Sequence, residues 1–222
     1  MNLKKCLVRI TLLCFCVYSF DSSAIIKLES ILQRDKLSSQ DLEAVRKALR
    51  DNPKDSLRTF MSVISNKEFP DRSRWLSLIL ISKTMGRKSV PLLAKYLEHP
   101  NWMLRSAAIK SLKSLKVSDK NDLYRKLLKD KSYIIREQAL DVISTLKIKS
   151  LKYDVLEMFG DKTNYIKTTN GLKASEVLKK VIKTLVALDT KESISLLRRL
   201  KKSQLASNIH NQIDLAIKQI SL

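Results

Sequence analysis

The stretch Leu92-Leu93-Ala94-Lys95-Tyr96-Leu97-Glu98-His99-Pro100-Asn101-Trp102-Met103-Leu104-Arg105-Ser106-Ala107-Ala108 has a near copy 31 residues later, running from Leu123 to Ala139. Its first apolar row, Leu92-Leu93 and Tyr96-Leu97, becomes Leu123-Tyr124 and Leu127-Leu128, and after a further 31 residues Val155 and Met158-Phe159. The second row, Trp102, Arg105, Ala108 and Leu112, becomes Tyr133, Arg136, Ala139 and Ile143. Both rows have the three-and-four spacing of an amphipathic helix. Two such rows per period predict stacked helix pairs, because one pair cannot bury both of its stripes and a neighbour must cover the remainder. Small residues (Ala107, Ala108, Ala139) let the helices approach. Four or five large apolar residues per helix, at about 1.5–3 kcal/mol each when fully buried, drive the stacking. Arrays of this kind bind along a surface and seldom carry out chemistry.

The pattern extends in both directions. Upstream, Ile25 to Gln33 is a short amphipathic piece. Ser38 or Ser39 is placed to cap a helix with an acidic first turn at Asp41. Pro53 is placed to open the next helix, and Gly86 to close the apolar run from Trp75 to Met85. Downstream the period slips. Val155 and Met158 reappear as Ile194 and Leu197, and Ala139, Ile143 and Leu146 as Leu178, Ile182 and Leu185, an offset of 39 in both helices. The 8 extra residues therefore lie between Phe159 and Lys173, a polar insertion in one loop. Insertions in repeat arrays fall on one face, which often binds. A last helix, about 208–220, is expected to cap the stack.

Only 3 Gly and 4 Pro occur in 222 residues, which suits helix and argues against turn-rich β folds and phosphate-cradling loops. Residues 1–24 read as a secretory leader: Lys4, Lys5 and Arg9 are basic, Leu7 to Phe20 is largely apolar, and Ser22-Ser23-Ala24 is small. Cleavage after Ala24 and a periplasmic or secreted location follow as expectations. An uncleaved anchor or a buried helix are the alternatives; the apolar run is shorter than the roughly 20 residues a span needs. All three cysteines (Cys6, Cys14, Cys16) lie in this segment, so the remaining chain has no thiol for catalysis or metal binding. Neither Cys14, after Leu13, nor Cys16, after Phe15, has the small predecessor a lipoprotein site requires. The domain expectation is thus a leader over 1–24 and one helical array of about four to five pairs over 25–222, with no transmembrane segment in the mature chain.

The motif Asn101-Trp102-x-x-Arg105-x-x-Ala108, with its echo Ser132-Tyr133-x-x-Arg136-x-x-Ala139, resembles HEAT repeats. A degenerate copy is Asp71-x-x-Arg74-x-x-Ser77, while the later copy departs from the pattern with Ser175 in place of the arginine. The resemblance covers roughly 57–200. It implies an all-α fold, a right-handed α-solenoid of stacked antiparallel helix pairs whose second helices line a concave face. On physical grounds Arg105 and Arg136 should satisfy carbonyls and acids at the turns rather than touch a ligand.

On the second helix of the 92–108 repeat, the residues opposite the core are Ser106, Lys110 and Lys113. The register carries them onto Glu137, Asp141 and Ser144, back onto Trp75, Ile79 and Ser82, and forward by 39 onto Glu176, Lys180 and Lys183. Trp75, Ile79, Ser106, Lys110, Lys113, Glu137, Asp141, Lys180 and Lys183 are therefore the candidate partner-binding residues, with Trp75 equally readable as core. The formal charge of +21 favours anionic partners in general terms. Glu137 and Asp141, however, break the continuous basic track that phosphate neutralisation wants. A patterned strip fits a protein or peptide better. Arg198, Arg199, Lys201 and Lys202 form a basic edge suited to anionic lipid or polysaccharide of the envelope, or simply to complement a helix end.

There is no His-Glu-x-x-His, no Gly-x-Ser-x-Gly, no P-loop and no Cys/His metal spacing; His99 reads as a turn residue and His210 stands alone. No enzyme, cofactor or metal is expected. The leading expectation is an exported, non-enzymatic scaffold that recognises a protein or peptide through its concave face. The alternatives are a basic nucleic-acid-binding protein, because some HEAT-like proteins are DNA glycosylases and Trp75, Trp102 and Asp141 could be cast in their roles, and an envelope anchor.

Overall fold

A computed structural model describes residues 22–169, 171–188, 191–202 and 209–221. The leader assignment concerns residues 1–24, of which 1–21 lie outside the described residues; Ser22 to Ala24 begin the first helix. The chain forms two compact units, one ending at Ser77 and the other beginning at Leu78. The division falls inside a single helix, α4.

The first unit contains α1 (Ser22–Leu32), α2 (Ser39–Asp51), α3 (Pro53–Ser65) and the start of α4 (Asp71–Met85). Ser38 caps α2: its hydroxyl accepts from Asp41 N at 3.1 Å, and Asp41 in return accepts from Ser38 N at 2.9 Å. These two bonds satisfy two of the donors that every helix start leaves open. Pro53 stands in the first turn of α3, where its missing N–H costs nothing. Leu28, Ile31, Leu32, Val45, Phe60, Val63 and Ile64 form the core of α1, α2 and α3. Arg74 is buried and donates to Ile64 O (3.3 Å) and to Asp71 (3.1 Å), so the degenerate motif copy closes its own turn.

The second unit continues through the pairs α5 (Val90–Leu97) with α6 (Trp102–Ser114), α7 (Asn121–Leu128) with α8 (Tyr133–Thr145), α9 (Lys152–Glu157) with α10 (Glu176–Leu188), and α11 (Lys191–Lys201) with α12 (His210–Ser221). The second helices pack in series, α6 on α8, α8 on α10 and α10 on α12. Leu104, Leu112, Ile135, Ile143, Leu178 and Leu185 are fully buried along this seam, and so are Ala107, Ala108 and Ala139.

The 31-residue register is visible in the backbone. Two residues beyond the end of each of α6 and α8 stands a lysine at φ 51°, Lys116 and Lys147. The next residue turns back, Val117 N donating to Leu112 O (3.1 Å) and Ile148 N to Ile143 O (3.0 Å), which is a Schellman closure with a buried apolar residue behind it. At the other end His99, Asp130 and Asp161, spaced by 31, each accept the N–H two residues on, at 3.0, 2.8 and 2.9 Å. His99 is the turn residue the sequence predicted.

The arginines also do what the sequence predicted. Arg105 is buried and donates from Nη1 to His99 O (2.8 Å) and Pro100 O (2.9 Å), and from Nη2 to Asp130 of the next turn (2.8 Å). Arg136 donates to Asp130 O (2.6 Å) and onward to Thr163 O (3.2 Å). Each fork therefore ties its own turn to the following one. At the departing position, Ser175 donates to Asn164 O at 2.5 Å.

The insertion is where the register placed it, but it is not irregular loop. It forms a short 3-10 turn (Lys162–Asn164) and an antiparallel hairpin, β1 (Tyr165–Thr168) with β2 (Gly171–Ala174), in the register Tyr165 to Ala174 and Thr168 to Gly171. Asn164 is fully buried and donates to Met158 O (2.9 Å), and Tyr165 donates its hydroxyl to Phe159 O (2.8 Å). These two bonds fasten the hairpin to the end of α9. Among the described residues the all-α expectation is thus met except for this two-stranded element.

Candidate functional site

The hairpin, α8 and α10 enclose a groove of about 980 Å³. Its walls carry Tyr133, Glu137 and Asp141 from α8, Tyr165 and Ile166 from β1, and Lys179, Lys180 and Lys183 from α10. Helical spacing explains the arrangement. Tyr133, Glu137 and Asp141 are each four residues apart and share one face of α8, while Lys179, Lys180 and Lys183 occupy the face of α10 turned away from buried Val181, Ile182 and Leu185. Tyr133 and Ile166 leave large apolar side chains in water, 59% and 52% exposed. Most such residues in this unit are buried, so two on one groove mark a surface that something else can cover.

Four sequence candidates, Glu137, Asp141, Lys180 and Lys183, meet in this groove. The others do not. Ser106 is a correction: it is buried at 3% exposure, because stacking of α8 on α6 brings Gln138 across to donate to its hydroxyl at 2.9 Å. Lys113 pairs with Asp141 at 2.5 Å, so the basic and acidic patches inferred along the strip partly neutralise one another across the α6–α8 seam. Lys110 is exposed on α6. Ile79 and Trp75 are both half-buried on α4. Arg198, Arg199 and Lys202 line a separate shallow concavity on α11, and Lys201 pairs with Asp214 at 2.6 Å.

Sequence reasoning missed Tyr133, Tyr165, Ile166 and Lys179. Tyr133 was absorbed into the repeat motif, yet at that position it is exposed, as Trp102 is. The hairpin had a signal: Asn170-Gly171 between Tyr165-Ile166 and Leu172 is a hairpin sequence.

The electrostatics follow from pairing. Glu176 is bonded to Lys179, and Asp141 to Lys113. The Arg136 guanidinium is spent on turn carbonyls. Among the described residues Lys180, Lys183 and Glu137 make no ion pair. Burial pushes the Tyr165 phenol above its ordinary pKa, so it stays a neutral donor to Phe159 O. Among the described residues no cluster of His, Cys, Asp or Glu is arranged to hold a metal, and no helix is long and apolar enough to cross a membrane.

Comparison with known proteins agrees with the register. Residues 60–144 and 90–169 match the family profile of HEAT repeats. The fold is similar to the crystal structure of an engineered protein from the Northeast Structural Genomics Consortium, with a TM-score of 0.50 at 14% identity over 89% of this chain and 96% of that one. No curated protein matches. HEAT repeats are generally non-catalytic scaffolds that commonly bind proteins. The paired helices, the arginine-tied turns and the matched profile make this chain a member of the HEAT-like repeat family.

Proposed function

We propose that the protein is an exported, non-enzymatic scaffold that recognises a protein or peptide partner through the groove between α8 and α10. The observation that carries this reading is the inserted hairpin. It interrupts the 31-residue register, is fastened by Asn164 and Tyr165, and turns an otherwise regular seam into a groove with exposed Tyr133 and Ile166 on its walls. Aromatic anchors at the centre of a contact with charged residues around them are the usual composition of a recognition surface. The leader pattern of residues 1–24 supports export.

A photo-crosslinking amino acid placed at Tyr133 or at Ile166 should capture the same partner polypeptide, while one placed at exposed Tyr153, outside the groove, should not. Equal capture from all three positions would refute the groove. A reporter fused after Ala24 tests export: it should be active only outside the cytoplasm, and retention inside would remove that part of the reading.

A further inference from the structure

Resting on the groove reading, we infer that the occupant is an extended acidic peptide segment with one aromatic or aliphatic anchor, and that Lys180 and Lys183 select it. The argument is one of charge complementarity. The groove's other charges are neutralised or committed: Glu176 by Lys179, Asp141 by Lys113, Arg136 by the turn carbonyls. Among the described residues, two ammonium groups on α10, Lys180 and Lys183, and one carboxylate, Glu137 on α8, make no ion pair. The wall formed by α10 is therefore positive.

Its spacing also selects. Residues three apart on a helix stand about 5–6 Å apart. Alternate side chains of an extended chain recur at about 6.6 Å on one side. Carboxylates at alternate positions of a strand-like segment can then meet Lys180 and Lys183 together. Such a segment would lay its apolar anchor toward Tyr133 and Ile166. Glu137 beside Tyr133 disfavours acid at that end and so sets direction. The same carboxylate interrupts the continuous basic track that a phosphate backbone would want along this groove. Lys179 and Lys183 also border a second concavity of about 610 Å³, floored by Ile182, Val186, Ala187 and Leu215, so the positive ridge has apolar surface on both sides.

The test is selection of a displayed random 12-residue peptide library on the immobilised full chain, followed by fluorescence anisotropy of enriched peptides. The expected result is enrichment of acidic residues in alternation with one aromatic or aliphatic anchor. Affinity should fall roughly tenfold in K180E/K183E, as expected for losing and reversing two rim charges, and should change less than about twofold in R198E/R199E. Both double variants change exposed or half-exposed residues, and circular dichroism checks that they fold. Enriched peptides without acidic bias that are still lost in Y133A/I166A would overturn the inference and leave the groove reading standing. Peptides indifferent to Y133A/I166A would overturn both. Displacement of the peptide by a 12-nucleotide oligothymidylate at equal concentration would assign the lysines to nucleic acid instead.

Discussion

Replacing Arg105 by alanine should unfold the second unit more readily than its single position suggests. The guanidinium is almost wholly buried and makes three bonds, to His99 O, Pro100 O and the Asp130 carboxylate. Asp130 is itself only 11% exposed at its side chain, so the loss leaves a carboxylate and two carbonyls with reduced solvation. Breaking a buried pair by removing one partner costs about 3–5 kcal/mol. Against a total stability of roughly 5–15 kcal/mol that is a large share. At about 2–4 °C per kcal/mol for a chain of this size, Tm should drop by about 6–20 °C. Urea titration followed by circular dichroism gives the free energy. A cycle with Asp130→Asn isolates the ion pair, and its coupling should lie between about 0.5 and 3 kcal/mol. A loss below about 1 kcal/mol for R105A, or strict additivity in the cycle, would show that the fork is not what joins successive turns.

Other outcomes follow from particular residues. Glycine at Lys116 or Lys147 removes a Cβ from a left-handed position and should raise stability by about 0.5–1 kcal/mol each, read from the urea midpoint; a loss would mean the lysine side chains matter more than the backbone. Burial pushes the Tyr124 phenol up to about 12, with Asp119 adding to the effect, and its hydroxyl is bonded to Val117 O. The unfolded phenol ionises near 10, so this contribution is complete below pH 10 and is lost as pH rises through 12. The stability gap between wild type and Tyr124→Phe should narrow over that window; a gap independent of pH would refute it. Hydrogen bonds from the Ser38 backbone and hydroxyl hold Asp41 below its ordinary pKa, with Arg34 assisting. Its contribution is present above the unfolded pKa near 3.9 and is lost as pH falls through the lower native one, so Asp41→Asn should flatten the acid limb of the wild-type stability curve.

What was legible in the sequence was whatever repeats. Arg105 and Arg136 could be assigned to turn carbonyls because two copies of one environment constrain each other, and the 39-residue offset located the insertion to within a loop. The groove was legible only in part. Glu137, Asp141, Lys180 and Lys183 were found by helical register, which tells which way a residue faces along its own helix. Register does not tell what a neighbouring helix lays over it. Ser106 was lost to Gln138 for that reason, and Lys113 to Asp141. Tyr165 and Ile166 belong to a segment with no second copy, so only the Asn170-Gly171 dipeptide spoke for it.

The exchange of arginine for Ser175 has a mechanical meaning. Forked side chains brace the turns as far as Arg136 and Thr163, but at Ser175 the brace is a lone hydroxyl that grips Asn164 O within the same loop and crosses to no later repeat. Among the described residues, the turn beneath the hairpin thus lacks the arginine fork that joins the turns before it, and no ion pair made by Ser175 would have to be unclasped for a guest seating there to shift the start of α10.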